Sequence, residues 1–487
     1  NNKKNDNNKN KKNNHKPLPQ RAWLGPACKP SSLGAFVGQL PKLRRLRQGS
    51  LQAPSESASV VLRVDELGCK VPGSTSVFNA ALCLTKNLLG SSMFCLPLAL
   101  QQGSVLPGLA AMLAVCLASG SSFMLLAYLC EKLYGQSYRD IWAASLGPKT
   151  SVIVDFSIVV NGLAVCMLYQ VLVADLVQQA AAALFGVADL SRSLIVWVNA
   201  LLIIAPLCHL RNLSALRYTS ITGLCLVLGV FAYVVSDFFG HWQVATSNLV
   251  AGAFHLDRGI FSMVAISVGA FQAHYNSPRF FKELGCNLQQ HSRMTIIAYT
   301  LTFAIYSIFA VAGMGLFGSS TTGNVLKNYA AAGSSVVVAG WVGTIFNMNF
   351  TYPLVFVSAR NSLISMVPAL EKANEKRPRA AHVAITCSML VVTSCAACLT
   401  DDISFVTGML GATLGSCISW IFPAVIYLTA TRRKRQASGF KDSTMNALAL
   451  QEPPLAPKKR LQLLSALLIL FGSLSMAVGV LLTVGAL

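Results

Sequence analysis

Charged residues make up only 12% of this 487-residue chain, and the acidic sign is the rarer, 18 residues against 39 Lys and Arg. So little charge beside 54% hydrophobic residues excludes an ordinary soluble domain and indicates a chain that crosses a membrane many times. A disulfide framework is missing as well. The 14 cysteines are scattered, and most fall in apolar runs, as at Cys83, Cys95, Cys166, Cys225 and Cys417, where the thiol behaves as a small hydrophobe. The pair Cys395/Cys398 has no second pair at zinc spacing, which argues against a metal site. The chain also lacks metal-ligand pairs at helical spacing and a His-Asp-Ser set at one depth, which argues against a membrane enzyme and leaves no catalytic residue to name. Residues 1–16, almost wholly Asn and Lys, lack the apolar core and small-residue cleavage site of a signal peptide.

What is present is a series of eleven apolar runs, each near the 20 residues that cross a hydrocarbon core as a helix. They cover 76–102, 105–130, 152–183, 194–208, 216–239, 260–281, 294–317, 336–357, 382–399, 403–430 and 461–487. The net charge of +21 does not point to nucleic acid, because its distribution follows the spans. Fourteen Lys and Arg precede the first span, and 21 lie in the loops after the even-numbered ones; the alternate loops hold only Arg192, Arg258 and Lys327. Basic residues in short loops mark the cytoplasmic side, so a cytosolic amino terminus is expected, with Leu487 on the opposite face. The domain organisation expected is a disordered basic cytosolic tail at 1–74 and a transmembrane domain at 75–487, with a cytosolic loop at 431–460. Between spans two and three, Tyr134 to Gly147 reads as an amphipathic helix with Tyr and Trp suited to an interface.

Two spans are interrupted by the wrong residues. Leu84 to Pro97 reads LTKNLLGSSMFCLP, placing Asn87, Gly90, Ser91, Ser92 and Pro97 in the middle of span one. Ser267 to Pro278 reads SVGAFQAHYNSP and interrupts span six. Non-helical backbone survives at that depth only where protein or a water-filled cavity satisfies its polar groups. Two broken spans, five apart and running in opposite directions, predict a five-plus-five inverted repeat with one additional helix and a binding site at the midplane.

At the first break, glycine eases unusual dihedrals, the Ser hydroxyls replace lost helical bonds, and freed N–H groups at a helix start suit a carboxylate. The plainer alternative is that small residues let two helices pack closely. In span six, Ala270, Phe271, Gln272, Ala273 and His274 put polar groups beside a small-residue point. His274 either carries a proton or, neutral, holds the broken helix together by hydrogen bonds. Span eight carries a polar run of Asn347, Asn349 and Thr351; a hydroxyl such as Thr351 either completes, with carbonyls from the broken part of span one, an oxygen shell for a small hard cation, or the run bonds other helices. Lys86 either snorkels or pairs with carbonyls near the break. Asp175 and Asp237 read as interface residues near span ends.

Several dispersed blocks resemble the amino acid/auxin permease family, from about Ser74 to Leu487. They are KNLLGSSMFCLPLA at Lys86–Ala99, PLCHLRNLSALRYTS at Pro206–Ser220, AFQAHYNSPRFFKEL at Ala270–Leu284, Ala312-Gly313 through Phe317-Gly318, YPLVFVSAR at Tyr352–Arg360, and GATLG at Gly411–Gly415 followed by Pro423. The resemblance implies the eleven-helix fold of LeuT-like transporters, with an amino acid held between helices one and six and moved by alternating access. Carried over by position, Gly90, Ser91 and Ser92 with Ala270–His274 line the amino acid site. Asn87 and Thr351 match positions associated with sodium in the sodium-coupled branch. Ser92 departs from the family's usual second glycine; Lys86 resembles the proton-coupled branch, whereas span six resembles the sodium-coupled and vacuolar ones. The function implied is secondary active transport, in a plasma or vacuolar/lysosomal-type membrane, with sodium or a proton as coupling ion and no other cofactor. A non-transporting amino acid receptor signalling through the cytosolic tail is the alternative.

Overall fold

The computed structural model describes residues 75–187, 189–210, 216–332, 335–400, 402–437 and 457–483. The expected tail at 1–74 and most of the 431–460 loop lie outside them. In chain order the helices are α1 Val77–Leu88, α2 Leu96–Gly103, α3 Val105–Leu133, α4 Tyr138–Leu146, α5 Val152–Phe185, α6 Arg192–Asn199, α7 Ala205–His209, α8 Leu216–Gly240 and α9 Trp242–Ala251. There follow α10 Gly259–Ala270, α11 Ser277–Glu283, α12 Leu288–Phe317, α13 Ser335–Met366, α14 Pro368–Lys376, α15 Pro378–Cys398, α16 Ile403–Leu410, α17 Phe422–Ala437 and α18 Lys459–Thr483. Among the described residues, eight helical stretches are long and apolar enough to cross a membrane, or ten if each of two bent pairs is one span. The sequence predicts eleven. The difference arises because span six is cut into α10 and α11, neither long enough to cross alone.

The first bent pair is α1 with α2, turned by 55°. Ser76 caps α1 by accepting from the Asn79 N–H at 3.2 Å. After Leu88 the helix gives way to a 3-10 turn over Ser91–Cys95, and α2 restarts with Pro97 in its first turn. Proline is tolerated there because a first-turn N–H has no helical acceptor to lose. The same device opens α11, where Pro278 follows a 3-10 turn over His274–Asn276. Pro353, by contrast, sits inside α13 without ending it.

Helices α5 and α13 form the most extensive helix pair and make one wall of the core. Opposite it, α10 packs against α2, α3 and α16, and α12 against α1, α2 and α3. A Cβ on Gly411, where α16 passes into a π turn, would lie 1.9 Å from the Ala265 carbonyl oxygen. Only glycine permits that backbone contact, and the contact holds α16 against α10 just before α10 breaks. The amphipathic α4 forms where expected, its Tyr138 hydroxyl donating to the Ile418 carbonyl at 2.7 Å.

Asp175 is not the interface residue its sequence position suggests. It is buried on α5, 3.0 Å from Lys327 Nζ and 3.5 Å from Arg192 Nη2. Two of the three basic residues in the sparsely charged loops therefore converge on one carboxylate. Lys327 belongs to a 3-10 segment, Val325–Ala332, that touches the Ser91–Cys95 turn, so the pair ties this strap over the first break. Removing one partner of a buried pair costs about 3–5 kcal/mol. Because Lys327 is partly exposed, Asp175→Ala is expected near the lower end, about 3 kcal/mol. Thermal unfolding of the detergent-solubilised protein measures this, and an unchanged midpoint refutes it.

Candidate functional site

The two breaks face one another across a small cavity of about 60 Å³. From the first break it is lined by Asn87, Leu88, Gly90, Ser91 and Ser92, and from the second by Gly269, Ala270, Gln272 and Tyr275. Helix α5 adds Asn161 and Tyr169, α13 adds Thr351, and α16 adds Thr407. Of the residues singled out in the sequence, Asn87, Gly90, Ser91, Ser92, Ala270, Gln272 and Thr351 thus come together. Phe271, Ala273 and His274 are fully buried beside the cavity and do not line it.

Backbone chemistry dominates the lining. Ser91 and Ser92 open a 3-10 turn, so their N–H groups have no acceptor within it and form the positive end of the outer half-helix. On the opposite side α10 ends at Ala270, presenting the negative, carbonyl end of a helix to the same space. Gly90 has φ −105° and ψ −161°, ordinary extended backbone that any residue adopts. The expectation that glycine is needed there for its dihedrals is therefore replaced by a steric reason. A Cβ at Gly90 would sit 3.3 Å from the Tyr169 hydroxyl.

Among the described residues, no charged side chain lines the cavity. Two of its polar atoms, Asn161 Oδ1 and Gln272 Nε2, are buried without a hydrogen-bond partner, an arrangement that disfavours an empty site. Thr351 donates its hydroxyl to the Asn347 carbonyl at 2.7 Å, which leaves the oxygen lone pairs for an acceptor role. Asn349 is engaged elsewhere, accepting from Asn199 Nδ2 at 3.0 Å.

His274 points to the far side of the break. Its Nε2 lies 2.7 Å from Ser122 Oγ and 3.1 Å from the Ser119 carbonyl, and Ser122 in turn donates to the Ser419 carbonyl. The Ser122 proton is thereby used, so Nε2 carries a hydrogen and is the donor to Ser122 and the Ser119 carbonyl. It ties the break to α3 and to the π turn over Cys417–Ile421.

Sequence reasoning passed over Tyr306 altogether. This buried tyrosine on α12 donates its hydroxyl to the Leu88 carbonyl, and the same oxygen is 3.3 Å from the Ala270 carbonyl. One side chain therefore reaches the last helical turn before each break. Tyr299, two turns away, reaches only the Phe271 carbonyl at 3.3 Å. Asn161 had a readable signal, an amide in an otherwise apolar span. Tyr306, Tyr169 and Thr407 had none, since aromatic and hydroxyl residues are ordinary in buried helices.

Residues 73–448 match the family model described as "Transmembrane amino acid transporter protein". The chain is 25% identical over 358 residues to "Vacuolar amino acid transporter 5" of Schizosaccharomyces pombe, a match covering 73% of this chain and 84% of that protein. It is 22% identical to "Vacuolar amino acid transporter 6" of Saccharomyces cerevisiae, over 72% of this chain and 89% of that one. Among solved structures it is similar to a nucleobase-cation-symport-1 family transporter in a closed conformation with bromovinylhydantoin bound (TM-score 0.53, 12% identity, 84% of this chain and 93% of that one). It is also similar to a Na+-coupled sialic acid symporter in a substrate-bound outward-open state (TM-score 0.52, 11% identity, 84% and 90%). These likenesses show the fold, an all-helical architecture of the LeuT-like kind. The chain is an integral membrane protein, not an enzyme, and it belongs to the transmembrane amino acid transporter family.

Proposed function

We propose that this chain is a secondary active transporter that carries a neutral amino acid by alternating access, in a vacuolar or lysosomal-type membrane. The observation that carries the reading is the pairing of two broken spans around one uncharged, polar cavity. A zwitterion fits that pairing: its carboxylate meets the N–H end at Ser91 and Ser92, and its ammonium meets the carbonyl end of α10. With no side-chain charge to neutralise a charged substrate group, a neutral amino acid is favoured over an acidic or basic one. At about 60 Å³ the cavity holds the volume of roughly two waters, so substrate entry requires the helices around the breaks to move apart.

Counting 259–283 as a further broken span raises ten spans to eleven, and the two breaks then stand at equivalent positions of two five-helix halves. The distribution of basic loops in the sequence supports a cytosolic amino-terminal side. Asn87 and Thr351 supply uncharged oxygens on the same cavity, a ligand set suited to sodium; with sodium absent from the cycle, a proton takes its place as driving ion.

The test is uptake of labelled neutral, acidic and basic amino acids into proteoliposomes under an imposed sodium or proton gradient. Gradient-driven accumulation of a neutral amino acid is expected, and equilibration without accumulation overturns coupling. Under a sodium gradient, Thr351→Val is expected to raise the half-saturating sodium concentration about tenfold, equivalent to roughly 1.4 kcal/mol. An unaltered sodium response removes Thr351 from the ion site.

A further inference from the structure

The cavity between the breaks offers more hydrogen-bonding capacity than the two ends of a zwitterion use. Backbone ends suffice for those: the N–H groups at Ser91 and Ser92 for a carboxylate, the carbonyl end of α10 for an ammonium. Beyond them, Asn161 Oδ1 and Gln272 Nε2 belong to residues lining the same cavity, and both atoms are buried with no hydrogen-bond partner among the described residues. One is an acceptor and the other a donor, so at bonding distance they would satisfy each other. They do not, because the fold holds them apart on separate elements. A buried polar atom left unpaired is destabilising, and here there is one on each of two walls of a single cavity.

The placement of the two amides suits the substrate's side chain. Asn161, Val165, Leu168 and Tyr169 follow the i, i+4, i+7, i+8 spacing of one face of α5, and all four line the cavity. Asn161, 3% exposed, is the amide on a face that otherwise offers Val165, Leu168 and a tyrosine ring. Gln272 lies in the irregular segment past the end of α10, two residues beyond Ala270. A site for a hydrocarbon side chain loses by keeping unpaired amides in its walls, since an apolar substrate desolvates them without compensation. A side chain that both donates and accepts reverses that loss. A carboxamide does so with two atoms and a hydroxyl with one. A side-chain amide can also turn over to present its other atom, so each wall can pair with either part of such a group.

We propose that Asn161 and Gln272 are a specificity-determining pair, selecting neutral substrates whose side chains carry a hydrogen-bond donor and acceptor together, carboxamides and hydroxyls, over hydrocarbon side chains of the same shape. The assignment rests on the cavity being the amino acid site. Asn161 Oδ1 accepts from the substrate's N–H or O–H, and Gln272 Nε2 donates to its oxygen. Selectivity of this kind is steep, because the wrong substrate leaves both partners buried and unpaired, whereas an apolar pocket rejects an added hydroxyl only weakly.

Pairs of equal shape separate this effect from size: asparagine against leucine, and threonine against valine. Both members of a pair, differently labelled and at equal, limiting concentration, are offered to proteoliposomes containing the full chain under an imposed gradient, and the uptake ratio is read. The unmodified protein is expected to favour asparagine over leucine about a hundredfold and threonine over valine about tenfold. Asn161→Leu and, independently, Gln272→Met are each expected to lower the asparagine-to-leucine ratio about tenfold. A variant that is merely less stable loses uptake of both members alike and keeps the ratio, so a structural role for either amide does not imitate the result. Accumulation of asparagine and leucine in equal measure by the unmodified protein, or an unaltered ratio in both variants, overturns the side-chain assignment and leaves amino acid transport standing. Accumulation of no neutral amino acid at all overturns the transport reading, and the pair with it.

Discussion

A Gly90→Leu variant is expected to reach the membrane folded and to accumulate no substrate, at least about a hundredfold below the unmodified protein. The expectation follows from space rather than from backbone freedom. Gly90 adopts extended dihedrals open to any residue, so the substitution does not strain the chain at the break. Its Cβ would already press on the Tyr169 hydroxyl at 3.3 Å, and the three further carbons of leucine have only the cavity to occupy. That cavity is about 60 Å³, so a leucine side chain takes most of the room between the two breaks. It also places apolar carbon over the Ser91 and Ser92 N–H groups, where a carboxylate would bind. Binding and movement are thus blocked together, while the helices that frame the site keep their contacts. Gly90→Ala, needing a shift of only a few tenths of an ångström at Tyr169, is expected to retain partial uptake. Uptake normalised to purified, monodisperse protein makes the comparison, and normal transport by Gly90→Leu removes the cavity from the transport path.

The sequence exposed the breaks because their residues conflict with the rest of the span. Gly90, Ser91, Ser92 and Pro97 stand in an apolar helix, and no packing requirement explains all four together. It exposed the apolar runs for the same reason, since hydrocarbon leaves few choices of residue. It did not expose which way a side chain turns once the helix has broken. Ala270 and Gln272 came to face the cavity while Phe271 turned toward α12 and His274 toward α3, because an irregular segment has no fixed period from which to read a face. Asp175 was misread because depth along a helix says nothing of what covers it. The strap at Val325–Ala332 arrives from 150 residues away in sequence, and only the fold brings Lys327 to it. Tyr306 was invisible for a related reason: its role lies in reaching two carbonyls on other helices, and nothing near position 306 records them.

Tyr306→Phe is the second large effect expected, and it isolates one oxygen atom. Phenylalanine keeps the ring, which packs edge-on against Phe271 at 5.3 Å, so the core stays filled. What is lost is the donor shared by the Leu88 and Ala270 carbonyls, each in the last turn of a helix that stops at the cavity. Leaving a buried carbonyl without its donor costs about 1–3 kcal/mol, which corresponds to roughly a tenfold to hundredfold loss of maximal uptake if the bond is needed in the moving states. A hydroxyl has one proton, so it serves one carbonyl at a time. As the half-helices separate, the proton can pass from one acceptor to the other without either being abandoned to an apolar wall. Loss of the oxygen therefore affects the motion of both breaks, and uptake is expected to fall further than the affinity for substrate. Tyr299→Phe is the control: it removes a bond to the Phe271 carbonyl alone and is expected to reduce uptake only a few-fold. Comparable uptake by the Tyr306→Phe variant and the unmodified protein, with thermal stability also unaltered, shows that the two breaks move without this hydroxyl between them.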